Sequence, residues 1–174
     1  MIGKWFIRRK IKKNLNGNRN LRLPFKTGIL LTNKEFPADK SFLKKLSAVT
    51  GIPYENWDVL YLSLSETHPD FVTDLDSHIN WRGQLTEPNI RKFLDKTYDL
   101  LIDLTTSESL KKQLLISHIR AGFRTGISPA HMEFYDLVIE AGGNKEVFLE
   151  ELAKYWGALG FGVSDLGISG NGER

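Results

Sequence analysis

DLLIDLTTSESLKKQLLISHIRAGFRTGI, residues 99–127, decides the fold. Asp99 to Leu104 is a short run of leucine and isoleucine between aspartates, which suits a strand buried on both faces. TTSES, residues 105–109, is a hydroxyl-rich turn, and Ser107 or Ser109 suits a helix N-cap. Leu110 to Ala121 carries helical periodicity, Gly122 is placed to end that helix, and Phe123 to Ile127 reads as the next strand. A strand, a helix and a second strand joined by short turns make a right-handed parallel crossover.

The same alternation extends outward. TGILLT (27–32) predicts a buried strand, followed from about Asp39 by a helix with Phe42, Leu43, Leu46 and Val49 on one stripe. Asp39 suits its N-cap, Gly51 its C′ position, and Pro53 marks the exit. Asp58 to Leu64 is the second strand. The polar stretch from Glu66 to Gly83 gives no clear signal beyond a short edge strand over Ile79 to Arg82. Thr86 and Pro88 open a second helix with Ile90, Phe93 and Leu94 inward. Asp136 to Glu140 is a further strand, and Asn144 caps a last helix with Phe148, Leu152 and Tyr155 inward. These elements predict an α/β, Rossmann-like doubly wound sheet of three layers, mostly parallel, behind an N-terminal basic amphipathic helix. No helix separates Ile127 from Asp136, so a mixed edge or an α+β arrangement stays open there.

The chain has 174 residues, enough for one domain with a real core. Its 41% hydrophobic and 26% charged residues are those of a globular protein rather than a disordered one. It has no cysteine, which removes disulfides, thiolate catalysis and Cys-ligated metal, and agrees with a cytoplasmic location. No apolar run is long enough for a transmembrane segment. The net charge of +3 hides an asymmetry. Nine basic side chains and no acidic one fall in residues 1–26, leaving 15 basic against 21 acidic residues elsewhere. The organisation expected is therefore a basic leader (1–26), an α/β domain (27–159) and a flexible glycine-rich tail (160–174).

Chemistry in such a sheet belongs at the carboxyl ends of the strands, beside helix N-termini. That rule points to Thr32, Asn33, Ser63, Ser65, Gly126 and Ser128 and to the 103–109 turn, and Thr32, Asn33, Asp103, Thr105, Thr106 and Ser107 are the candidate ligand-binding residues, with helix capping as the plainer account of the turn's hydroxyls. Phosphate fingerprints are missing: there is no P-loop motif, and the strand TGILLT leads into TNKEFPADK rather than a glycine loop. No nucleophile elbow occurs, so no catalytic residue is assigned. His68, Asp70, Asp74, Asp76 and His78 carry metal-ligating atoms, but match no calcium-loop or paired-histidine spacing. Neither a metal nor a cofactor is expected. Asp58, Asp99 and Asp136 each open a strand and read as structural.

The leader is the most distinctive segment. If helical, Ile7, Ile11 and Leu15 align on one side, which Trp5 and Phe6 broaden, with Lys4, Arg8, Arg9, Lys10, Lys12 and Lys13 around the rest. Such a helix suits an anionic membrane surface or the phosphates of RNA or the ribosome. It equally suits docking on the acidic body of its own chain. Docking of the last helix and Trp156 on a protein partner is a further reading.

With GILLTN, NWRG (80–83), DLLIDL and the run into AGFRTGI, the chain resembles an uncharacterised bacterial family, mainly from the Bacteroidota, of unknown function. That resemblance covers nearly everything before the tail. It implies a small cytoplasmic Rossmann-like protein and supplies no catalytic residues. Residues 98–126 are also similar to a unit in the acceptor half of heptosyltransferase-type GT-B glycosyltransferases, which implies a shared supersecondary unit. Two functions follow: a non-enzymatic binding or adaptor domain using the basic N-terminus, or a small-molecule-binding or degenerate transferase-like protein with its ligand at the strand ends.

Overall fold

The structure, a computed structural model, describes residues 8, 11–15, 17, 20–63, 72–74, 84, 88–106, 109–127 and 129–162. Strand β1 (Gly28–Thr32) is buried at every position, as its unbroken apolar run requires. It lies between β2 (Trp57–Ser63) and β4 (Thr97–Asp103), parallel to both. With β3 (Val72–Asp74), β5 (Arg120–Gly126) and β6 (Leu137–Val138), the order is β3-β2-β1-β4-β5-β6. Every pairing among the described residues is parallel. This is the doubly wound Rossmann order, in which the chain reverses direction across the sheet between β1 and β4.

Helices α1 (Lys40–Thr50) and α4 (Lys145–Ala158) cover one face. Helices α2 (Pro88–Leu94) and α3 (Leu110–His118), with helical residues 11–15, cover the other. Strand alternation divides the core accordingly: Ile29, Leu31 and Leu101 face α3, and Leu30, Leu100 and Ile102 face α1 and α4. The caps of α1 follow from the sequence. The Asp39 carboxylate accepts from the Phe42 N–H at 2.7 Å, and Gly51, at φ 75°, donates its N–H to the Ser47 carbonyl.

Several expectations need correcting. The edge is not mixed, because a 3-10 turn (Pro129–Phe134) carries the chain back over the sheet and lets β6 pair parallel to β5. Helix α3 stops at His118, and Gly122 lies inside β5 rather than at a helix end. The run HIRAGF reads as helix by composition, but pairing along β4 claims it. On α4, Trp156 is the buried aromatic (1% exposed) and Tyr155 is exposed, so the inward stripe is Phe148, Leu152 and Trp156. Trp156 is thereby unavailable for docking a partner. Strand β3 arises in the polar stretch that gave no signal, while the expected strand over Ile79 to Arg82 lies outside the described residues. Strands β2 and β4 begin one and two residues earlier than expected.

Near its start β4 is bulged. The N–H groups of Asp99 and Leu100 both donate to the Thr27 carbonyl, at 3.1 and 3.2 Å. Tyr98 and Leu100 consequently point to opposite core faces although only two residues apart. Facing this bulge, β5 carries Gly122, where an added Cβ would stand 2.6 Å from the Asn20 carbonyl oxygen. The segment before β1 therefore crosses the sheet at a distance only glycine permits. Beyond that crossing, Phe25 joins Phe123, Trp156 and Phe161 in a cluster with ring centroids 5.3–6.4 Å apart.

Candidate functional site

The strand ends at the switch point gather five of the six candidate ligand-binding residues: Thr32 and Asn33 after β1, and Asp103, Thr105 and Thr106 after β4. Ser107 lies outside the described residues. The side chains are turned on one another. Asn33 accepts from the N–H groups of Glu35 and Phe36 at 3.1 and 3.0 Å, folding the loop into a turn. The Thr32 hydroxyl donates to the Phe36 carbonyl, and Thr106 donates to Glu35 at 3.1 Å.

Asp103 is fully buried. Its Oδ1 accepts from the Thr105 N–H and hydroxyl at 2.9 and 2.6 Å, and its Oδ2 from the Tyr135 hydroxyl at 2.5 Å. The Lys112 ammonium lies 3.1 Å from Oδ2 and donates to the Thr105 carbonyl at 2.8 Å. Burial, then the negative charge of Asp103, pushes the Tyr135 hydroxyl well above its ordinary value. It stays a neutral donor to the carboxylate. The cluster fills the crevice with a carboxylate whose partners all come from the same chain.

Lys112 and Tyr135 were not singled out from the sequence. A signal for Lys112 existed, because it shares an inward stripe with Leu115, Ile116 and Ile119 at helical spacing, where a charge needs a buried partner. Tyr135 carried no such signal. Gly126 makes room for its ring, since a Cβ there would stand 2.7 Å from it.

The strand-opening aspartates are structural, as expected. Asp99 accepts from the N–H groups of Lys26 and Thr27, Asp136 from that of Arg124, and Asp58 from Lys96 and the Tyr98 hydroxyl. Apart from the β3 backbone, the stretch from His68 to His78 lies outside the described residues.

The described helical residues of the leader are seated on the body. Ile11 is 6% exposed within the core facing α3, Leu15 packs beside it, and the Asn14 amide donates to Ser117 at 3.1 Å. Arg8, Lys12 and Lys13 are exposed, and among the described residues no ion pair engages them. Lys4, Arg9 and Lys10 lie outside the described residues.

The leader and the doubly wound body fall within one match to a known family, over residues 1–159. The chain belongs to DUF6913, a family of unknown function. No curated protein and no solved structure matches it. The biochemical role of this DUF6913 chain is accordingly unknown, and what can be said of function rests on the geometry. Among its described residues no helix is long and apolar enough to cross a membrane.

Proposed function

We propose that this chain is a non-enzymatic binding module of the bacterial cytoplasm whose basic N-terminus engages the phosphate backbone of RNA. The observation that carries this reading is the division of labour along residues 8–15. Ile11 and Leu15 are spent on the protein's own core, and Arg8, Lys12 and Lys13 are held outward. A helix mounted in this way presents its charges in a fixed arrangement, which lowers the ordering cost of binding.

The same division favours RNA over a lipid surface. An interfacial helix binds membranes by burying its apolar side among acyl chains, and here Ile11 and Leu15 of that side are already packed in the protein's own core. Among the described residues of this helix the charges of Arg8, Lys12 and Lys13 remain outward, and charge is what phosphate backbones read. In this reading Arg8, Lys12 and Lys13 of the leader form the binding element and 27–159 the scaffold. The likeness of 98–126 to a glycosyltransferase unit enters only as shared architecture.

The test is fluorescence anisotropy with single-stranded and duplex RNA across a salt series, beside sedimentation with anionic vesicles. Charge reversal at Arg8, Lys12 and Lys13 is preferable to deleting the leader, because deletion also removes Ile11 from the core. Binding should weaken with salt, with a logarithmic slope of about 0.7–0.9 for each phosphate neutralised. A shallower slope and lower affinity in the reversed variant support the reading. RNA affinity unchanged by the reversal, or binding to vesicles alone, overturns it.

A further inference from the structure

A second feature stands at the opposite end of the sheet from the switch point. A cavity of about 940 Å³ opens at the amino ends of β1, β4 and β5, beneath the segment that precedes β1. Its volume is within the roughly 300–1,000 Å³ of small-molecule sites. Two distortions border it: the bulge at Asp99–Leu100 and the close crossing of Asn20 over Gly122. Bulges recur beside binding sites because they re-aim side chains at a sheet's rim.

The lining is cationic and apolar together. Among its described residues four are cationic (Arg22, Lys26, Arg120 and Arg124), against the single carboxylate of Asp99. That carboxylate is occupied by the N–H groups of Lys26 and Thr27, at 2.8 and 3.0 Å. The Arg120 guanidinium is steadied by the carbonyls of Leu94 and Asp95, at 3.3 and 2.7 Å, at the end of α2. Beside these charges, Leu21 and Leu23 line the same cavity while 49% and 51% exposed. One exposed leucine is ordinary; two beside a cationic cleft form a surface with both halves of an amphiphile's complement.

We propose that this cleft binds an amphipathic organic anion, with its acidic head against Arg22, Lys26 and Arg120 and its apolar body against Leu21 and Leu23. The site is independent of the RNA reading, which rests on Arg8, Lys12 and Lys13. An inorganic anion would use the charges and leave the leucines idle.

The experiment titrates the full chain with anilinonaphthalene sulfonate, followed by its fluorescence, and competes it with decanoate or with inorganic pyrophosphate. One probe molecule should bind per folded chain and be displaced by decanoate. Arg22→Glu with Lys26→Glu should weaken binding about tenfold or more, while Lys12→Glu with Lys13→Glu leaves it unchanged. Leu21→Ser with Leu23→Ser, also exposed, should weaken it about tenfold by removing apolar surface from the cleft. Thermal unfolding of each variant establishes that it is folded. Failure of the folded chain to bind the probe, binding indifferent to the Arg22 and Lys26 reversal, or displacement by pyrophosphate as effective as by decanoate overturns the proposal.

Discussion

The Lys112 ammonium and the Asp103 carboxylate form an ion pair at 3.1 Å with side chains 1% and 0% exposed, in the crevice where doubly wound proteins usually hold a ligand. Their charges have left water entirely. Each depends on the other and on the hydrogen bonds from Thr105 and Tyr135 around them.

Lys112→Met should therefore destabilise the protein by about 3–5 kcal/mol, because it strands a buried carboxylate. Adding Asp103→Asn should restore much of the stability, since the remaining group is neutral. Urea unfolding of the two single variants and the double variant measures this. A double variant no more stable than Lys112→Met would mean that the pair does not act as a unit.

Alkaline titration reports the same cluster. Tyr135 and Tyr98 both have raised pKa values, chiefly through burial and then through Asp103 and Asp58 respectively. A group raised in the folded state contributes stability that is complete below its unfolded value, 10.0 for a phenol. Above that pH the unfolded chain ionises first, so stability falls as pH rises. Phenolate absorbance from these two tyrosines should appear only together with unfolding, as followed by circular dichroism.

Ile11→Ala should cost about 2–5 kcal/mol, as expected for a core residue. The leader would otherwise be a detachable appendage. Denaturant midpoints with an unchanged slope would show that the effect is one of packing, and a change near zero would show that the helix is not seated.

Gly122→Ala should lower stability by about 1–3 kcal/mol, because the new methyl meets the Asn20 backbone rather than a side chain able to swing away. Amide exchange should rise first around residues 20–24. Protection unchanged in that segment would contradict the close crossing.

How far these features were legible depended on their range. β1 and α1 were readable because unbroken burial and local caps leave direct marks, as at Leu30, Asp39 and Gly51. The end of α3 was not, since Gly122 marks a helix terminus or a crossing chain equally well, and Asn20 decides between them from a hundred residues away. Thr32 and Asp103 lie at the neighbouring ends of β1 and β4, as the alternation of elements predicts. Lys112 left a mark as a charge on an inward stripe, but Tyr135 left none, because the partners meet only once α3 and the turn after β5 have docked. The cleft at the other rim was harder still: Arg22 and Arg120 are ordinary charges until the crossing of Asn20 over Gly122 brings their segments together.

The ring cluster of Phe25, Phe123, Trp156 and Phe161 has a mechanical consequence. Phe25 stands just ahead of β1 and Phe161 just behind α4, so the approach to the first strand and the exit from the last helix are fastened at one buckle. Traction applied between residues 20 and 162 would load that buckle before it reached the strands.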